Sequence, residues 1–409
     1  MSSLQHAEQR PQRGRSLLPS LVGMRCVSST AVFVLHIVQV GVFTDQALNE
    51  NLNEYLGKIG FVSVGFFFML SGFILAWTAR EDDRPTSFWR RRLARIFPSH
   101  LLVCLAAVLL LTERGMDPTW GDTLPSLFLV QAWTSDEVVF WGVNGPSWSL
   151  SVELLFYLSF PLLYRVIRRI PARWLWLSAG SVVAGIAAVA VVAHLVVSAA
   201  PETPFINASW DQQWTVFNHP ATRMLDFVLG IVMARILQTG RWIRIPLGVA
   251  LLTVVPGYLC SLWLPGTFGL VLPTTIPLAL IVTSAAAADL AGERTFFQRP
   301  TMVRLGELAF AFYLTHTLVI IFGPIGRAER TWPLLQALGM IALTYVLSIA
   351  VAWVLCHGFE RPVSRRIGKS RPRTPVGAQR TGPADGPADG PADGPADGPA
   401  LEPTADLKN

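Results

Sequence analysis

Five ionisable residues stand inside long apolar stretches of the chain, where a charge is costly and therefore suggests a functional site. They are Arg25, His36, Glu153, Asp226 and His316. Ten residues separate Arg25 from His36, an axial rise of about 16 Å in a helix. A neutral histidine can accept a proton near pH 7, because its unperturbed pKa is about 6.5. We interpret His36 as a candidate general base; the alternative is a histidine that only bonds a backbone carbonyl between packed helices.

Glu153 follows the pair Trp148-Ser149 and is the second candidate catalytic residue. Its carboxylate could orient a histidine or hold an acceptor hydroxyl, and a structural ion pair with an arginine such as Arg223 is the alternative. Asp226 follows Arg223 by three residues, so these two side chains can pair on one helix face. We favour a structural role for that pair.

A run of arginines in the segment 88–98 is the second group of residues that could do chemistry. It contains Arg90, Arg91, Arg92 and Arg95, beside the aromatic ring of Trp89. Guanidinium groups bind phosphate with two parallel hydrogen bonds. Together with Arg25, these side chains predict a binding site for the phosphates of coenzyme A. A signal for membrane orientation, with contacts to lipid phosphates, is the alternative.

The composition indicates that membrane-spanning helices position these residues. Of the 409 residues, 52% are hydrophobic and only 15% are charged, against roughly 25% charged in soluble domains. A spanning helix needs roughly 20 apolar residues. The sequence predicts an all-α, polytopic bundle of about ten such helices, at about 21–42, 59–79, 98–112, 147–167, 174–197, 220–237, 244–263, 268–288, 305–323 and 333–357.

The distribution of arginine predicts the orientation of this bundle. With the N-terminus inside, the inside segments carry the arginines of residues 80–95, 165–173, 235–244, 294–304 and 361–373. The outside segments hold only Lys58, Arg114, Arg327 and Arg330. Positive charge accumulates on cytoplasmic loops, so both termini are predicted to be cytoplasmic in a bacterial plasma membrane. The net charge of +6 therefore indicates membrane orientation and no nucleic-acid partner.

The two ends of the chain differ in composition from the apolar part. We predict a disordered N-terminus at 1–16, a transmembrane domain at 17–367 and a low-complexity tail at 368–409 in which GPAD occurs four times in succession. No nucleophile elbow, Walker A loop or His-x-x-x-Asp signature is present. The four cysteines show no metal-ligand spacing, and no bound metal or resident cofactor is expected.

The order of these motifs resembles the acyltransferase-3 family of bacterial integral-membrane O-acyltransferases. The resemblance covers about residues 17–367. Its elements are the Arg25-x10-His36 motif, the Gly65–Phe73 signature, the arginine-rich loop ending at Pro98, the Trp148-Ser149-Leu150 to Glu153 segment, His219-Pro220 to Arg223, the Tyr313-Leu314-Thr315-His316 run, and Phe359-Glu360-Arg361-Pro362. The sequence departs from the family pattern at Cys26-Val27-Ser28-Ser29, where a Gly-x-Ala-like run is usual, and we expect this departure to affect helix packing.

The resemblance implies transfer of an acetyl or other short acyl group from acyl-CoA, as co-substrate, to a hydroxyl. His36 would be a general base or a transient acyl carrier, and Glu153 would orient it or the acceptor. Substrate-binding or structural roles fall to Trp148, Ser149, Arg223, Asp226, Tyr313 and His316. The short form, without the extracytoplasmic hydrolase-like domain of longer members, resembles acyltransferases of macrolide antibiotics.

Three alternative functions remain open from the sequence. The first is O-acetylation of a cell-surface or exopolysaccharide sugar, which these residues do not distinguish from acylation of a small natural product. The second is a transporter or flippase without covalent chemistry, since polar residues at mid-membrane depth occur there too. The third is a membrane scaffold or sensor.

Overall fold

The computed structural model of the protein describes residues 18–80, 83–203, 206–328 and 330–368, and these are helical almost throughout. The helices of the first half are α1 (Pro19–Val40), α2 (Gln46–Leu56), α3 (Ile59–Thr78), α4 (Pro85–Glu113), α5 (Trp120–Leu127), α6 (Glu137–Trp141), α7 (Trp148–Ile167) and α8 (Leu175–Val196). The second half contains α9 (Trp210–Gln213), α10 (Pro220–Gln238), α11 (Leu247–Leu252), α12 (Val254–Trp263), α13 (Gly266–Gly269), α14 (Leu272–Ala291), α15 (Pro300–Phe322), α16 (Pro324–Ala328), α17 (Leu334–Val354) and α18 (Arg361–Gly368).

Short irregular elements join these helices. Turns of 3₁₀-helix occur at Gln131–Trp133, Gly145–Ser147, Ala172–Trp174 and Phe296–Gln298, and π-helical segments at Trp214–Asn218 and Leu355–Glu360. Two strands of two residues each, β1 (Glu202–Thr203) and β2 (Ala208–Ser209), pair antiparallel in the connection between α8 and α9. Apart from Gly368, which ends α18, the predicted tails at 1–16 and 368–409 lie outside the described residues and remain predictions.

The prediction of an all-α, polytopic bundle is confirmed. Eight helical stretches of the described chain are long and apolar enough to cross a membrane. The other two predicted spans correspond to α10, which carries several charged residues, and to the shorter apolar stretch Leu247–Trp263, which is divided between α11 and α12. Each of the ten predicted helices therefore has a counterpart, and the chain is a multi-pass membrane protein.

The prediction that residues 88–98 form an arginine-rich loop is wrong, because this segment is helical. Helix α4 begins at Pro85 and continues through residues 88–98 to Glu113. Proline is favoured in the first turn of a helix, where its missing N–H would have no partner. The arginines therefore project from the first turns of a long helix, and the 100° step between successive residues sends them in different directions.

The centre of the bundle consists of helices that are buried on most sides. Helix α3 packs most extensively against α10, and α1 against α15. By contrast, α8 and α17 expose most of their apolar residues, including Val196 and Leu335. Apolar side chains on the outside of a membrane bundle face lipid tails. Helices α1, α3, α10, α14 and α15 therefore form the interior.

Two glycines allow α3 and α10 to approach closely. A Cβ atom at Gly72 would overlap the backbone carbonyl of Phe227, and one at Gly230 would overlap that of Met69. Small residues at helix contacts are a common basis of packing in membranes, where lipid tails remove the hydrophobic driving force between helices. This reciprocal glycine contact holds α3 in position beside α1 and α7.

We predict that Gly230→Ala destabilises the protein, because the added methyl group has to push α3 away from α10. Overpacking of this kind costs about 1–3 kcal/mol, and thermal unfolding of the protein in lipid nanodiscs measures it. Gly180→Ala is the matched control, since a Cβ atom at this position in α8 meets no atom within 4 Å. Equal melting temperatures for the two variants would contradict the proposed glycine contact.

Candidate active site

Helix α1 places Arg25 and His36 on one face at two different depths. Eleven residue steps correspond to about three full turns at 3.6 residues per turn, so the two side chains point in nearly the same direction. The structure places each of them in the wall of a separate cavity. One helix face therefore contributes to two sites along its length.

The cavity that contains Arg25 is here named the arginine cavity. It is lined by Arg25, Ser71, Arg92, Arg95, Ser149, Glu153, Tyr157 and Tyr313, together with apolar residues of α3, α4, α7 and α15. The second cavity, here named the histidine cavity, is lined by His36, Gln39, Asn53, Glu137, Trp141, Trp148, Trp210, Gln213, Asn218 and Tyr313, among others. The arginine cavity lies near the start of α1 and the histidine cavity near its end.

A hydrogen-bonded carboxylate forms the polar side of the arginine cavity. Glu153 Oε1 accepts a hydrogen bond of 2.5 Å from the hydroxyl of Tyr157, one turn later on α7, and lies 3.5 Å from Ser71 Oγ on α3. Trp89 Nε1 donates to the backbone carbonyl of Tyr157 at 3.0 Å and so joins α4 to α7. The guanidinium of Arg92 lies over the ring of Tyr157. Positive and negative groups thus face each other in a largely apolar enclosure.

The five predicted arginines do not share one position. Arg25, Arg92 and Arg95 line the arginine cavity. Arg91 is exposed, forms an ion pair with Asp83 and lines a neighbouring pocket. Arg90 is exposed and lines none of the three cavities described in this part of the chain.

The neighbouring pocket, here named the outer pocket, extends the arginine cavity toward the same end of the bundle. Its wall includes Arg25, Arg91, Arg95, Glu307, Glu360 and Arg361. Because Arg25 and Arg95 belong to both spaces, the two spaces adjoin each other. Arg361 donates to Glu307 at 2.6 Å, so one of these charges is already neutralised.

Sequence reasoning missed the positions of Tyr157 and Glu360 in this site. The signal for Tyr157 was its spacing of four residues from Glu153, which places both on one face of α7. Glu360 ends the π-helical segment Leu355–Glu360, is 9% exposed, and its Oε2 has no hydrogen-bond partner among the described residues. Its signal was the Phe359-Glu360-Arg361-Pro362 motif, which places an acid two residues before a proline.

The histidine cavity presents His36 with a defined tautomer. The Nδ1 atom of His36 lies 3.0 Å from the carbonyl oxygen of Val32, one turn earlier on α1. A carbonyl oxygen can only accept, so Nδ1 carries the hydrogen in the neutral ring and Nε2 keeps its lone pair. The His36 side chain therefore has a free proton acceptor in the wall of the cavity.

The ring of His316 packs against the ring of His36. His316 is fully buried, its ring centroid lies 5.1 Å from that of His36, and its Nδ1 lies 2.9 Å from the Tyr313 carbonyl oxygen. Within the described part of the chain, its Nε2 has no hydrogen-bond partner. His316 lines none of the three cavities described here, which favours a positioning role over direct contact with a substrate.

The structure separates Glu153 from His36. Glu153 contributes to the arginine cavity and bonds Tyr157 and Ser71, whereas His36 contributes to the histidine cavity. Direct orientation of His36 by Glu153, one of the roles expected from the sequence, has no contact to support it. The ion pair between Glu153 and Arg223, the other alternative from the sequence, is also not among the contacts of the described residues.

Arg223 and Asp226 form the structural pair predicted from their spacing. Arg223 Nη1 donates to Asp226 Oδ2 at 2.7 Å, and the two side chains are only 1% and 3% exposed. Arg223 Nη2 also donates to the Val216 carbonyl at 2.6 Å, within the π-helical segment Trp214–Asn218. The pair therefore connects α10 to the wall of the histidine cavity without lining it.

Tyr313 and Val64 line both the arginine cavity and the histidine cavity. Ser149 Oγ lies 2.9 Å from the hydroxyl of Tyr313. The preceding residue, Trp148, belongs to the wall of the histidine cavity. The two cavities thus meet at a boundary formed by α3, α7 and α15.

Comparison with known proteins places the chain among acyltransferases. A family model described as an acyltransferase domain matches residues 18–356. The chain is 40% identical to acyltransferase MdmB of Streptomyces mycarofaciens over 370 residues, which are 87% of this chain and 94% of that protein.

Two more distant relatives have names that refer to exopolysaccharide and to peptidoglycan. The exopolysaccharide production protein ExoZ of Rhizobium meliloti is 29% identical over 76% of this chain and 92% of that protein. The peptidoglycan O-acetyltransferase OatA of Listeria monocytogenes is 27% identical over 36% of this chain and 24% of that protein. No solved structure matches the chain.

We predict that Asp226→Asn destabilises the protein strongly, because it leaves the buried Arg223 without its counter-charge. Breaking a buried pair in this way costs about 3–5 kcal/mol, measured as a lower unfolding temperature in nanodiscs. Asp83→Asn is the matched control: it breaks an ion pair with an exposed arginine, Arg91, and such pairs contribute about 0–1 kcal/mol. Similar decreases in unfolding temperature for Asp226→Asn and Asp83→Asn would contradict the larger contribution that we assign to the buried pair.

Proposed function

Because the chain belongs to the acyltransferase-3 family of membrane O-acyltransferases, we propose that it moves an acetyl or other short acyl group from acyl-CoA to a hydroxyl. The observation that carries this proposal is the meeting of two chemically different cavities at Tyr313. One cavity contains arginines for an anionic donor, and the other contains a histidine with a free proton acceptor. A group-transfer enzyme needs these two functions next to each other.

The arginine cavity is the proposed donor site. Arg25, Arg92 and Arg95 are suited to the phosphates of coenzyme A, because a guanidinium group can offer two parallel N–H donors. The apolar part of the wall, which includes Phe67 and Phe68, suits the uncharged arm that carries the thioester. The outer pocket, with Arg91, lies on the approach to this site.

His36 is the proposed general base for the acceptor hydroxyl. Its Nε2 takes the hydroxyl proton while the oxygen forms a bond to the carbonyl carbon of the thioester. The carbon–sulfur bond then breaks, and the departing thiolate takes the proton from His36, so the products are an ester and free CoA. The alternative course is that His36 carries the acyl group transiently. Transfer of the acyl group from acyl-CoA to the protein itself, with no acceptor present, would favour this course.

The location that fits this chemistry is a bacterial plasma membrane with both termini in the cytoplasm. Acyl-CoA is a cytoplasmic metabolite, and the arginine cavity lies at the end of the bundle that carries the basic segments. Positive charge near helix ends marks the cytoplasmic side. In this orientation the acceptor approaches His36 from the opposite end of the bundle.

The proposed acceptor is a hydroxyl-bearing natural product of macrolide type. The histidine cavity has a volume of about 380 Å³, within the general range of about 300–1,000 Å³ for small-molecule sites. Indoles of Trp141 and Trp210 with the amides of Gln39 and Asn53 form an amphipathic wall. Such a wall suits a molecule with an apolar face and several oxygen atoms.

A cell-surface sugar is the second candidate acceptor, because the names of ExoZ and OatA refer to exopolysaccharide and peptidoglycan. Incubation of the purified protein in nanodiscs with labelled acetyl-CoA distinguishes the two. Macrolides and oligosaccharides are supplied separately, and mass spectrometry identifies the ester. Labelled ester on neither acceptor class, with intact donor, would count against acyl transfer and in favour of a transporter.

We predict that His36→Ala lowers the transfer rate by about 10²–10⁴-fold, the usual contribution of a general base, while the protein still inserts and unfolds normally. His357→Ala is the matched control. The Nδ1 atom of His357 lies 3.1 Å from the Trp353 carbonyl oxygen one turn earlier, as in His36, but its side chain is exposed. Full activity of His36→Ala would overturn its assignment as the base.

We predict that Arg95→Ala raises the KM for acyl-CoA about 10-fold or more, because one hydrogen-bonded charge contributes about 1.5–3 kcal/mol. The KM for the acceptor should change much less. Arg90→Ala is the control, since both arginines are exposed on α4 but only Arg95 lines the arginine cavity and the outer pocket. Equal changes in donor KM for the two variants would indicate a general charge effect and not a binding site.

A further inference from the structure

We propose that the hydroxyl of Tyr313 is a catalytic group that donates a hydrogen bond to the carbonyl oxygen of the thioester as negative charge develops there. This inference rests on the proposed acyl transfer and names a second participant in it. Ser149 is the positioning residue that orients the Tyr313 hydroxyl.

The position of Tyr313 is the first observation that supports this role. If the donor occupies the arginine cavity and the acceptor the histidine cavity, the carbonyl carbon has to react where they meet. Of the described residues, Val64 and Tyr313 line both cavities. Val64 is aliphatic, so Tyr313 is the side chain of this pair that can donate a hydrogen bond.

The hydrogen bond from Ser149 leaves the proton of Tyr313 free. Ser149 Oγ lies 2.9 Å from Tyr313 Oη and 3.1 Å from the carbonyl oxygen of Pro146, and it shares its single hydrogen between these two acceptors. The tyrosine oxygen is therefore the acceptor in its contact with Ser149. Its own hydrogen can then point to a third atom, and donation from Ser149 polarises the Tyr313 hydroxyl and makes it a stronger donor. Both side chains belong to the wall of the arginine cavity.

The backbone around Tyr313 is held in place before any substrate binds. Asn144 Nδ2 donates to the carbonyl of the next residue, Leu314, at 3.0 Å, and the Tyr313 ring packs edge-on against Phe67. A preorganised donor stabilises the transition state without a reorganisation cost at the moment of reaction. The rigidity of α15 at this position is therefore consistent with an oxyanion donor.

The same segment also supports the proposed base. His316 Nδ1 donates to the backbone carbonyl of Tyr313 at 2.9 Å, and the His316 ring lies edge-on to that of His36 at 5.1 Å. The general base and the oxyanion donor are thus connected through one buried histidine. A shared support keeps their separation constant, as a reaction between two bound molecules requires.

The proposed step is balanced. The acceptor hydroxyl gives its proton to His36 Nε2, its oxygen bonds to the thioester carbon, and the carbonyl oxygen becomes an oxyanion that accepts the hydrogen bond from Tyr313. Collapse breaks the carbon–sulfur bond, and the thiolate leaves with the proton from His36. Tyr313 keeps its own proton throughout.

The test compares Tyr313→Phe with Tyr345→Phe in the full-length protein in nanodiscs. Tyr345 is the matched control, because its hydroxyl lies 2.7 Å from Thr30 Oγ1, and it lies outside the three described cavities. We expect Tyr313→Phe to lower kcat by about 10²–10³-fold, as removal of one oxyanion donor does elsewhere. The donor KM should stay within about threefold, and Tyr345→Phe should retain its kcat.

Ser149→Ala provides a second variant that leaves the Tyr313 ring in place. We expect its kcat to fall about 10-fold, the effect of one hydrogen bond of about 1.4 kcal/mol, with the donor KM unchanged. If Tyr313→Phe does not fold, this variant decides the question, and an unchanged kcat overturns the proposal. A Tyr313→Phe protein that folds overturns it in either of two cases: a kcat within threefold of wild type, or parallel losses of kcat and donor affinity.

The failure of the proposed function would have a different signature. In that case the wild-type protein itself transfers no acyl group to any acceptor, whatever residue stands at position 313. An active wild type with an equally active Tyr313→Phe variant leaves the acyltransferase function intact and removes only the role of Tyr313.

Discussion

The interior of a membrane bundle cannot leave a charged side chain without a polar partner or access to water, and this constraint organises the site. Transfer of a charge into an apolar medium costs so much that partners or cavities have to surround it. Arg223 meets the constraint with Asp226 and a backbone carbonyl. Arg25 meets it by standing at the boundary between two polar spaces, with Glu153 in one and Glu360 in the other.

The two cavities follow from the same requirement at different depths. Near the start of α1 the polar residues are arginines and carboxylates, which suits an anionic ligand. Near its end they are amides, indoles, a histidine and the single carboxylate of Glu137, which suits a ligand with hydroxyl groups. The boundary at Tyr313 keeps the two environments apart, so a charged donor does not have to enter the space of the acceptor. In the proposed reaction only the acyl group passes from the arginine cavity to the histidine cavity.

Helix packing provides the rigidity that this arrangement needs. The reciprocal contacts at Gly72 and Gly230 bring α3 against α10. The buried Arg223–Asp226 pair fixes the start of α10 against the π-helical segment Trp214–Asn218. Helix α3 can then contribute Val64 to the boundary and Ser71 to the arginine cavity. A displacement of α3 by even part of an ångström would alter both, because packed interiors have few voids that could absorb it.

The sequence by itself determined the membrane class, ten helical segments, the Arg223–Asp226 pair and the family, because these depend on apolar length, local spacing and motif order. It did not determine that residues 88–98 are helical, since a cluster of arginines is compatible with a loop or with a first turn. Only the tertiary structure decided that Glu153 bonds Tyr157 and lies apart from His36, and that Tyr313 stands between two cavities. The reason is geometric: these contacts depend on the relative positions of α1, α3, α7 and α15 along the axis of the bundle. These positions are set by contacts between residues that are far apart in the chain.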